Sequence, residues 1–350
     1  FTNSEVAVYD ITAPAALVRV MGATVMAAGA NWTARVNDTA ESNRLYAVTS
    51  AAALRVPSAI EKDTPSTLRN VANHADYIII AHDDFVDEIA PLAEYRRRQG
   101  LDVSVVRMSD VYDEFSYGLL TPQAIKDFLY YTYTRWQKPS PTYVLLVGDA
   151  SYDYRNDFYA KVQYLVPTKL VKHTEESIEW SEIATDDWFV CFDGEDDYYP
   201  DMLIGRFPAG TSSDVTAMVN KTIDYESAGL DEQWTKKVTF VSGPGGYKVG
   251  TREFEVMNRE MASIVGSDYA VRHIDYSNYN TVAAARSDVL SAFDAGALVI
   301  NYSGHGTPTE WDGPLFSVAN LTGAGSINNP DKYPLVLSLT CTNGWFVDHP

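Results

Sequence analysis

The residues best suited to chemistry in this chain are a histidine and a cysteine that each follow a short apolar run near the C-terminal end. His305 stands in Ser-Gly-His-Gly after the apolar residues 297–300, and Cys341 follows the largely apolar run 335–339. Runs of this length, bounded by turn residues, predict buried strands of a parallel sheet. A thiol and an imidazole that meet in one place form a nucleophile with its base.

The elements that must bring these two residues together are two neighbouring strands. His305 and Cys341 are 36 positions apart in the sequence, which fits two parallel strands joined by one crossover. Open parallel sheets bind their ligands at the carboxyl ends of the strands. We therefore predict that both side chains emerge at the same edge of one sheet.

The rest of the chain predicts an α/β fold after a β-rich beginning. Short apolar pieces within residues 1–70 predict antiparallel strands. From residue 75 onward, buried strands alternate with helices, which indicates right-handed crossovers and a largely parallel sheet. We predict a β-rich region over residues 1–70, an α/β subdomain over 75–205 and a second subdomain over 206–350 that carries the histidine and the cysteine.

The motifs around the two reactive residues resemble those of the caspase-like clan of cysteine peptidases, and within it the gingipain-type family. They are Asn-Tyr-Ser-Gly-His-Gly at 301–306, Cys-Thr-Asn-Gly-Trp-Phe at 341–346 and Leu-Ile-Gly-Arg-Phe at 203–207. The resemblance covers roughly residues 75–350. It implies a caspase-like three-layer sandwich with a mostly parallel sheet in two subdomains, after the small β-rich region. Residues 8–14 resemble the region that precedes the catalytic domain in the type IX secretion sortase branch.

The resemblance also implies roles for individual residues. Cys341 is expected to be the nucleophile, and His305 the general base that later protonates the amine leaving group. The backbone N–H groups of Gly306 and Cys341 are the expected oxyanion donors. Because catalytic domains of this type continue past their cysteine, we expect a chain that stops nine residues after Cys341 to be a truncated catalytic domain.

Three aspartates are candidates for binding. Asp186 best matches the family position that lines the pocket for a basic substrate side chain; alternatively, it caps a turn or binds calcium. Asp193 and Asp196 lie in an acidic loop whose oxygens suit Ca²⁺, and the family resemblance favours a structural calcium ion there. The alternative is a solvated loop. The chemistry itself requires no cofactor. The second cysteine, Cys191, lies in an aromatic run and is expected to be structural.

Charge and hydropathy restrict the partners. The chain has 47 acidic and 27 basic side chains and a formal charge of −20, so its surface repels nucleic acid and anionic lipid. No apolar stretch reaches the length of about 18 residues that a transmembrane helix needs. We therefore expect protein or peptide substrates, no nucleic acid and no transmembrane segment.

Together, the residues and the resemblance predict an exported cysteine endopeptidase that works through a Cys–His dyad and an acyl-enzyme. The resemblance implies a secreted, cell-surface or outer-membrane-associated protein of a Gram-negative bacterium, with the type IX secretion machinery as a partner. Two alternatives stay open. One is a type IX secretion sortase, which removes a C-terminal signal and can pass the acyl group to an amine. The other is a catalytically inactive binding or adhesion homologue.

Overall fold

The chain forms two compact units in a computed structural model, residues 1–64 and residues 65–350. The structure describes residues 1–13, 16–39, 43–50, 53–54, 59–60, 62–154, 165–172, 182–194, 196–227, 233–245, 252–322 and 326–348. Within these ranges, none of the helices combines the length and the apolar character that crossing a bilayer requires.

The first unit is built from short antiparallel strands, which confirms the β-rich beginning. These strands are β1 (Val6–Asp10), β2 (Val18–Arg19), β3 (Thr24–Ala28), β4 (Asn31–Arg35) and β5 (Tyr46–Ser50). β1 pairs with β2 and β5, while β3 and β4 form a hairpin. Gly29 turns this hairpin with a φ of 65°, a backbone conformation that favours glycine. The sequence pattern does not predict this hairpin.

The second unit contains two α/β parts, and the first of these is organised around a parallel sheet. Its elements are β6 (Tyr77–Ala81), α1 (Val86–Arg98), β7 (Val103–Arg107), α2 (Met108–Ser116), α3 (Pro122–Arg135), β8 (Tyr143–Val147), β9 (Ala150–Ser151), β10 (Lys169–Lys172), β11 (Glu182–Thr185), β12 (Leu203–Phe207) and α4 (Ser212–Ser227). The described strands of the sheet follow the order β12-β8-β6-β7, and all pairs are parallel. β12 spans the predicted subdomain boundary at residue 205, so this sheet extends to Phe207.

Helices cover both faces of this sheet. Successive side chains of β6 point to opposite faces, so Ile78 and Ile80 join one core cluster while Ile79 joins another. The first cluster includes Phe128 of α3 and the second includes Ile89 of α1. Burial on both faces explains why β6 is a continuous apolar run in the sequence. The result is the predicted arrangement of helix, sheet and helix layers.

The second α/β part carries the candidate site. Its elements are β13 (Lys237–Ser242), α5 (Glu253–Ser263), β14 (Ala270–Asp275), α6 (Val282–Ala295), β15 (Val299–Ser303), β16 (Gly306–Thr307), β17 (Glu310–Trp311), α7 (Ala319–Thr322), β18 (Leu335–Leu339) and β19 (Val347–Asp348). The described strands of its main sheet follow the order β14-β13-β15-β18, again with parallel pairs. β16 and β17 form a short hairpin.

The two faces of this second sheet differ in polarity near the carboxyl ends of its strands. Ile300 and Tyr302 lie in an apolar cluster with α6 residues such as Val289. On the other face, Ser303 is buried and donates a hydrogen bond of 2.7 Å to Oδ1 of Asn258 in α5. This polar face fixes α5 to the strand ends, because a buried hydroxyl needs a hydrogen-bond partner.

Candidate active site

His305 and Cys341 follow neighbouring strands in equivalent positions. Ser303 at the end of β15 pairs with Leu339 at the end of β18, and each reactive residue comes two positions later. The N–H of Gly304 donates to the Leu339 carbonyl at 3.2 Å, which extends the pairing beyond the strands. His305 and Cys341 are both exposed, and the Cys341 thiol is free. The structure therefore places the imidazole and the thiol at one edge of the sheet.

Two hydrogen bonds to its carbonyl oxygen fix the backbone of His305. Its carbonyl accepts a hydrogen bond of 2.6 Å from the Tyr302 hydroxyl and one of 2.9 Å from the N–H of Asp312. The His305 ring meets the ring of Phe254 edge-on, with centroids 5.3 Å apart and planes at 87°. Burial raises the pKa of Tyr302 above its ordinary value, so the hydroxyl keeps its proton and continues to donate.

The glycines on either side of His305 permit close packing. A Cβ on Gly304 would lie 2.2 Å from the Tyr302 hydroxyl oxygen, and a Cβ on Gly306 would lie 2.5 Å from Oγ1 of Thr340. Both distances are too short for a side chain to be accommodated without movement of its surroundings. We call residues 304–310, which follow β15, the histidine loop, and residues 340–346, which follow β18, the cysteine loop. Since Thr340 immediately precedes Cys341, Gly306 lies where these two loops meet.

Thr342 and Asn343, which directly follow Cys341, make further contacts with the histidine loop. Thr342 donates through Oγ1 to the Gly306 carbonyl at 3.3 Å. Asn343 donates through Nδ2 to the carbonyls of Thr307 and Glu310, the latter at 3.2 Å. The sequence alone does not indicate a role for either residue, because Thr-Asn-Gly after a cysteine indicates only a turn. The predicted oxyanion donors, the N–H groups of Gly306 and Cys341, belong to these two facing loops, and their role stays a prediction.

The Asp186 carboxylate forms an ion pair with Arg206 of the same chain. Arg206 of β12 donates from Nε to Oδ2 and from Nη2 to Oδ1 of Asp186, both at 2.8 Å. Thr168 adds a third hydrogen bond of 2.8 Å to Oδ1. The Arg206 guanidinium also lies 5.3 Å from the ring centroid of Phe346, five residues after Cys341. A substrate cation at Asp186 would share the carboxylate with Arg206, and substrate binding there stays a prediction.

The acidic loop uses its carboxylates to cap its own backbone. Asp197 accepts hydrogen bonds of 3.0 Å from the N–H groups of Asp193 and Tyr199. The hydrogen bond from the Asp193 N–H is the main reason why the pKa of Asp197 lies below its ordinary value. Asp193 and Asp196 are exposed. In the described part of the chain, no three His, Cys, Asp or Glu side chains are grouped closely enough to hold a metal ion. Calcium binding by Asp193 and Asp196 stays a prediction.

The second cysteine is buried. Cys191 donates through Sγ to the Asp187 carbonyl at 3.2 Å, and burial raises the pKa of its thiol. A buried thiol with a raised pKa is a poor nucleophile. This leaves Cys341 as the accessible thiol of the two.

Comparison with known proteins gives a consistent result. Gingipain R2 of Porphyromonas gingivalis is 22% identical over 272 residues, which are 77% of this chain and 32% of that protein. Lys-gingipain W83 of Porphyromonas gingivalis is 24% identical over 272 residues, which are 77% of this chain and 14% of that protein. This chain thus spans about a third or less of the length of these curated relatives.

A solved structure shows the same fold. The crystal structure of the Arg-specific cysteine proteinase gingipain R superimposes with a TM-score of 0.60 at 21% identity, covering 81% of this chain and 58% of that chain. This likeness confirms the caspase-like α/β fold. The sequence model of peptidase family C25 matches residues 70–350. The chain therefore belongs to peptidase family C25, the cysteine peptidase family of the gingipains.

Proposed function

We propose that this chain carries the catalytic dyad of a cysteine endopeptidase, with Cys341 as nucleophile and His305 as base. The observation that carries the proposal is the parallel register of β15 and β18, in which Ser303 pairs with Leu339. With this register, His305 and Cys341 are both exposed and each lies two residues beyond the end of its strand. Family membership supports the same chemistry.

The proposed reaction begins when the Cys341 proton passes to the His305 imidazole. The thiolate sulfur bonds to the scissile carbonyl carbon, and the carbonyl oxygen takes the displaced electron pair. The N–H groups of Gly306 and Cys341 stabilise this oxyanion. As the intermediate collapses, the carbon–nitrogen bond breaks and the imidazolium gives its proton to the departing amine. A thioester remains on Cys341.

Water completes the cycle. It loses a proton to His305 as its oxygen bonds to the thioester carbon, and collapse then breaks the carbon–sulfur bond. The thiolate regains the proton from His305, and a carboxylic acid leaves. The thiol, the imidazole and the two backbone N–H groups supply every group that these steps need, so the proposed chemistry requires no cofactor.

We propose that the protein is exported from a Gram-negative cell and is secreted or associated with the cell surface. Its proposed substrates are peptides or proteins. The strongly acidic composition, with a formal charge of −20, supports a protein that avoids nucleic acid. The type IX secretion machinery is the proposed partner for export.

Alkylation of Cys341 with iodoacetamide at pH 6 tests the proposed dyad. A thiol activated by His305 reacts faster than a free thiol, whose pKa is about 8.5 and which is therefore almost wholly protonated at that pH. We expect rapid labelling of the unaltered protein, slow labelling of His305→Ala and no fast labelling of Cys341→Ala. If the unaltered protein reacts no faster than a free thiol, the peptidase proposal fails and an inactive binding homologue takes its place.

Hydrolase and sortase differ only in the group that accepts the acyl chain. In a peptide-cleavage assay, addition of a free amine distinguishes them. A hydrolase gives only the free acid, whereas a transpeptidase gives the amide in proportion to the amine. We propose hydrolysis, and amide formation would select the sortase alternative.

A further inference from the structure

The side chain of Asn343 joins the two catalytic loops through both ends of its amide. Its Nδ2 donates to the carbonyls of Thr307 and Glu310, the latter at 3.2 Å. Its Oδ1 accepts a hydrogen bond of 2.9 Å from the hydroxyl of Ser338 in β18. Asn343 lies two residues after Cys341, and Thr307 lies two residues after His305. The Asn343 amide thus connects the cysteine loop, strand β18 and the β16–β17 hairpin that follows His305.

The contacts continue from Ser338 back to His305. Trp311 of the hairpin donates from Nε1 to the Ser338 hydroxyl at 2.8 Å. The Trp311 ring stacks on Tyr302, with centroids 4.3 Å apart and planes 4° from parallel. The Tyr302 hydroxyl donates to the His305 carbonyl at 2.6 Å. The chain of contacts therefore begins beside Cys341 and ends on the backbone of His305.

Resting on the proposed Cys–His function, we propose that Asn343 is a positioning residue that fixes the histidine loop against the cysteine loop. Both reactive residues lie beyond the ends of their strands, where the ladder of sheet hydrogen bonds no longer sets the distance between them. The amide group suits this position because it offers two donors to carbonyl oxygens and an acceptor to a hydroxyl. A carboxylate would face the two carbonyls with a negative oxygen, and an alanine would leave them without this donor.

The test compares Asn343→Ala and Asn343→Asp with the unaltered protein and with Asn329→Ala. Asn329 is a matched control, because its Nδ2 also donates to a backbone carbonyl, that of Lys332 at 3.4 Å, in the connection that precedes β18. Ser338→Ala removes the donor to Oδ1 of Asn343 and the acceptor of Trp311 Nε1 but keeps the Nδ2 contacts of Asn343, so it should give a weaker effect in the same direction. Thermal unfolding of each variant identifies any that fails to fold.

The first measurement is the rate of Cys341 alkylation by iodoacetamide as a function of pH. If Asn343 positions the base, its loss lowers the rate of Cys341 alkylation at pH 6 about tenfold or more, because a displaced His305 imidazole no longer takes the thiol proton. We expect at least such a tenfold loss in both Asn343 variants and no change in Asn329→Ala. A merely structural role would lower the melting temperature and leave this pH profile in place. Retention of the unaltered profile in both variants overturns the proposal.

The second measurement is amide hydrogen exchange over the β16–β17 hairpin, which does not depend on catalysis. We expect faster exchange at Gly306–Trp311 in Asn343→Ala and unchanged exchange in Asn329→Ala. If the unaltered Cys341 labels no faster than a free thiol, the proposed peptidase function fails, and exchange alone then decides whether Asn343 joins the loops. Faster exchange supports that contact, and unchanged exchange overturns it.

Discussion

The carboxylate of Asp186 and the guanidinium of Arg206 form an ion pair with two hydrogen bonds of 2.8 Å each. Only 5% of the Arg206 side chain and 13% of the Asp186 side chain are exposed. The other Arg206 donors bind the carbonyls of Gly148, Val166 and Pro167 at 2.8, 2.7 and 3.0 Å. The guanidinium thus uses all five N–H groups that arginine possesses. Lysine could not reproduce this geometry.

Asp186→Asn is predicted to destabilise the protein strongly, because it removes the negative charge that pairs with the buried Arg206 guanidinium. Loss of one partner of a buried pair costs about 3–5 kcal/mol in free energy of unfolding. Urea denaturation followed by tryptophan fluorescence measures this loss. Asp187→Asn is the control, since Asp187 is exposed. A loss of less than about 1 kcal/mol, the range of a surface pair, would show that the ion pair is not formed in solution.

Gly306→Ala is predicted to separate the two catalytic loops. The new Cβ would meet Oγ1 of Thr340 at 2.5 Å and the Glu310 carbonyl oxygen at 3.2 Å. A displacement of about 1 Å between reacting groups can lower a rate about a hundredfold. The measurement is the rate of peptide cleavage relative to the unaltered protein.

A second substitution separates this clash from a general loss of folding. Oγ1 of Thr340 is buried and has no hydrogen-bond partner in the described structure, so Thr340→Ala alone should cost little stability. It removes the closest contact, and we expect Gly306→Ala/Thr340→Ala to regain part of the lost rate. Equal rates for the single and double variants would mean that Thr340 is not the obstacle.

The sequence predicts where the strands with continuous apolar residues lie. β6 is such a strand, because the continuous apolar run Tyr77–Ala81 is bounded by polar residues and packs against helices on both faces. The prediction that β18 is buried is wrong. Leu335, Leu337 and Leu339 are exposed, because β18 is the last described strand at one side of its sheet. β14 was missed because its first residues, Ala270 and Val271, are exposed and its later ones include Arg272 and His273, so no apolar run marks it. α2 was missed because Met108 follows β7 directly, with no turn residue to indicate a new element.

The candidate site also has some features that the sequence predicts and others that it does not. That His305 and Cys341 share a sheet edge follows from strand periodicity and a crossover of ordinary length. The partner of Asp186 does not follow from any such rule, because Arg206 is 20 residues away in the sequence and reaches it only through packing at the end of β12. The contacts of Asn343 depend on a hairpin with strands of two residues each, which is too short to leave a periodic pattern.

Thiol titration is predicted to distinguish the two cysteines. Cys341 is exposed, whereas Cys191 is buried and burial raises the pKa of its thiol. A disulfide reagent at neutral pH should therefore modify one thiol per folded chain quickly, and two in denaturant. Cys341→Ala should lose the fast reaction, and Cys191→Ala should keep it. Fast reaction of both thiols in the folded protein would show that the Cys191 environment opens readily.

Tyr302→Phe is predicted to weaken the dependence of stability on alkaline pH. Burial raises the pKa of Tyr302 in the folded protein, while an unfolded tyrosine ionises near pH 10. The resulting stabilisation is complete below about pH 10 and is lost as the pH rises toward the raised folded pKa, because only the unfolded chain releases its proton in that interval. Phenylalanine cannot ionise, so the free energy of unfolding should fall less steeply between pH 10 and 11, by about 1 kcal/mol per pH unit.

Urea unfolding at pH 8, 10 and 11 measures this slope. At pH 8 the variant should be less stable by about 1 kcal/mol, since the Tyr302 hydroxyl no longer donates to the His305 carbonyl. Tyr198→Phe is the matched control, because Tyr198 is 81% exposed and its replacement should leave the slope unchanged. If Tyr302→Phe and the unaltered protein lose stability in parallel above pH 10, the Tyr302 hydroxyl is not buried beneath the histidine loop. The support for His305 would then have to come from the Asp312 N–H alone.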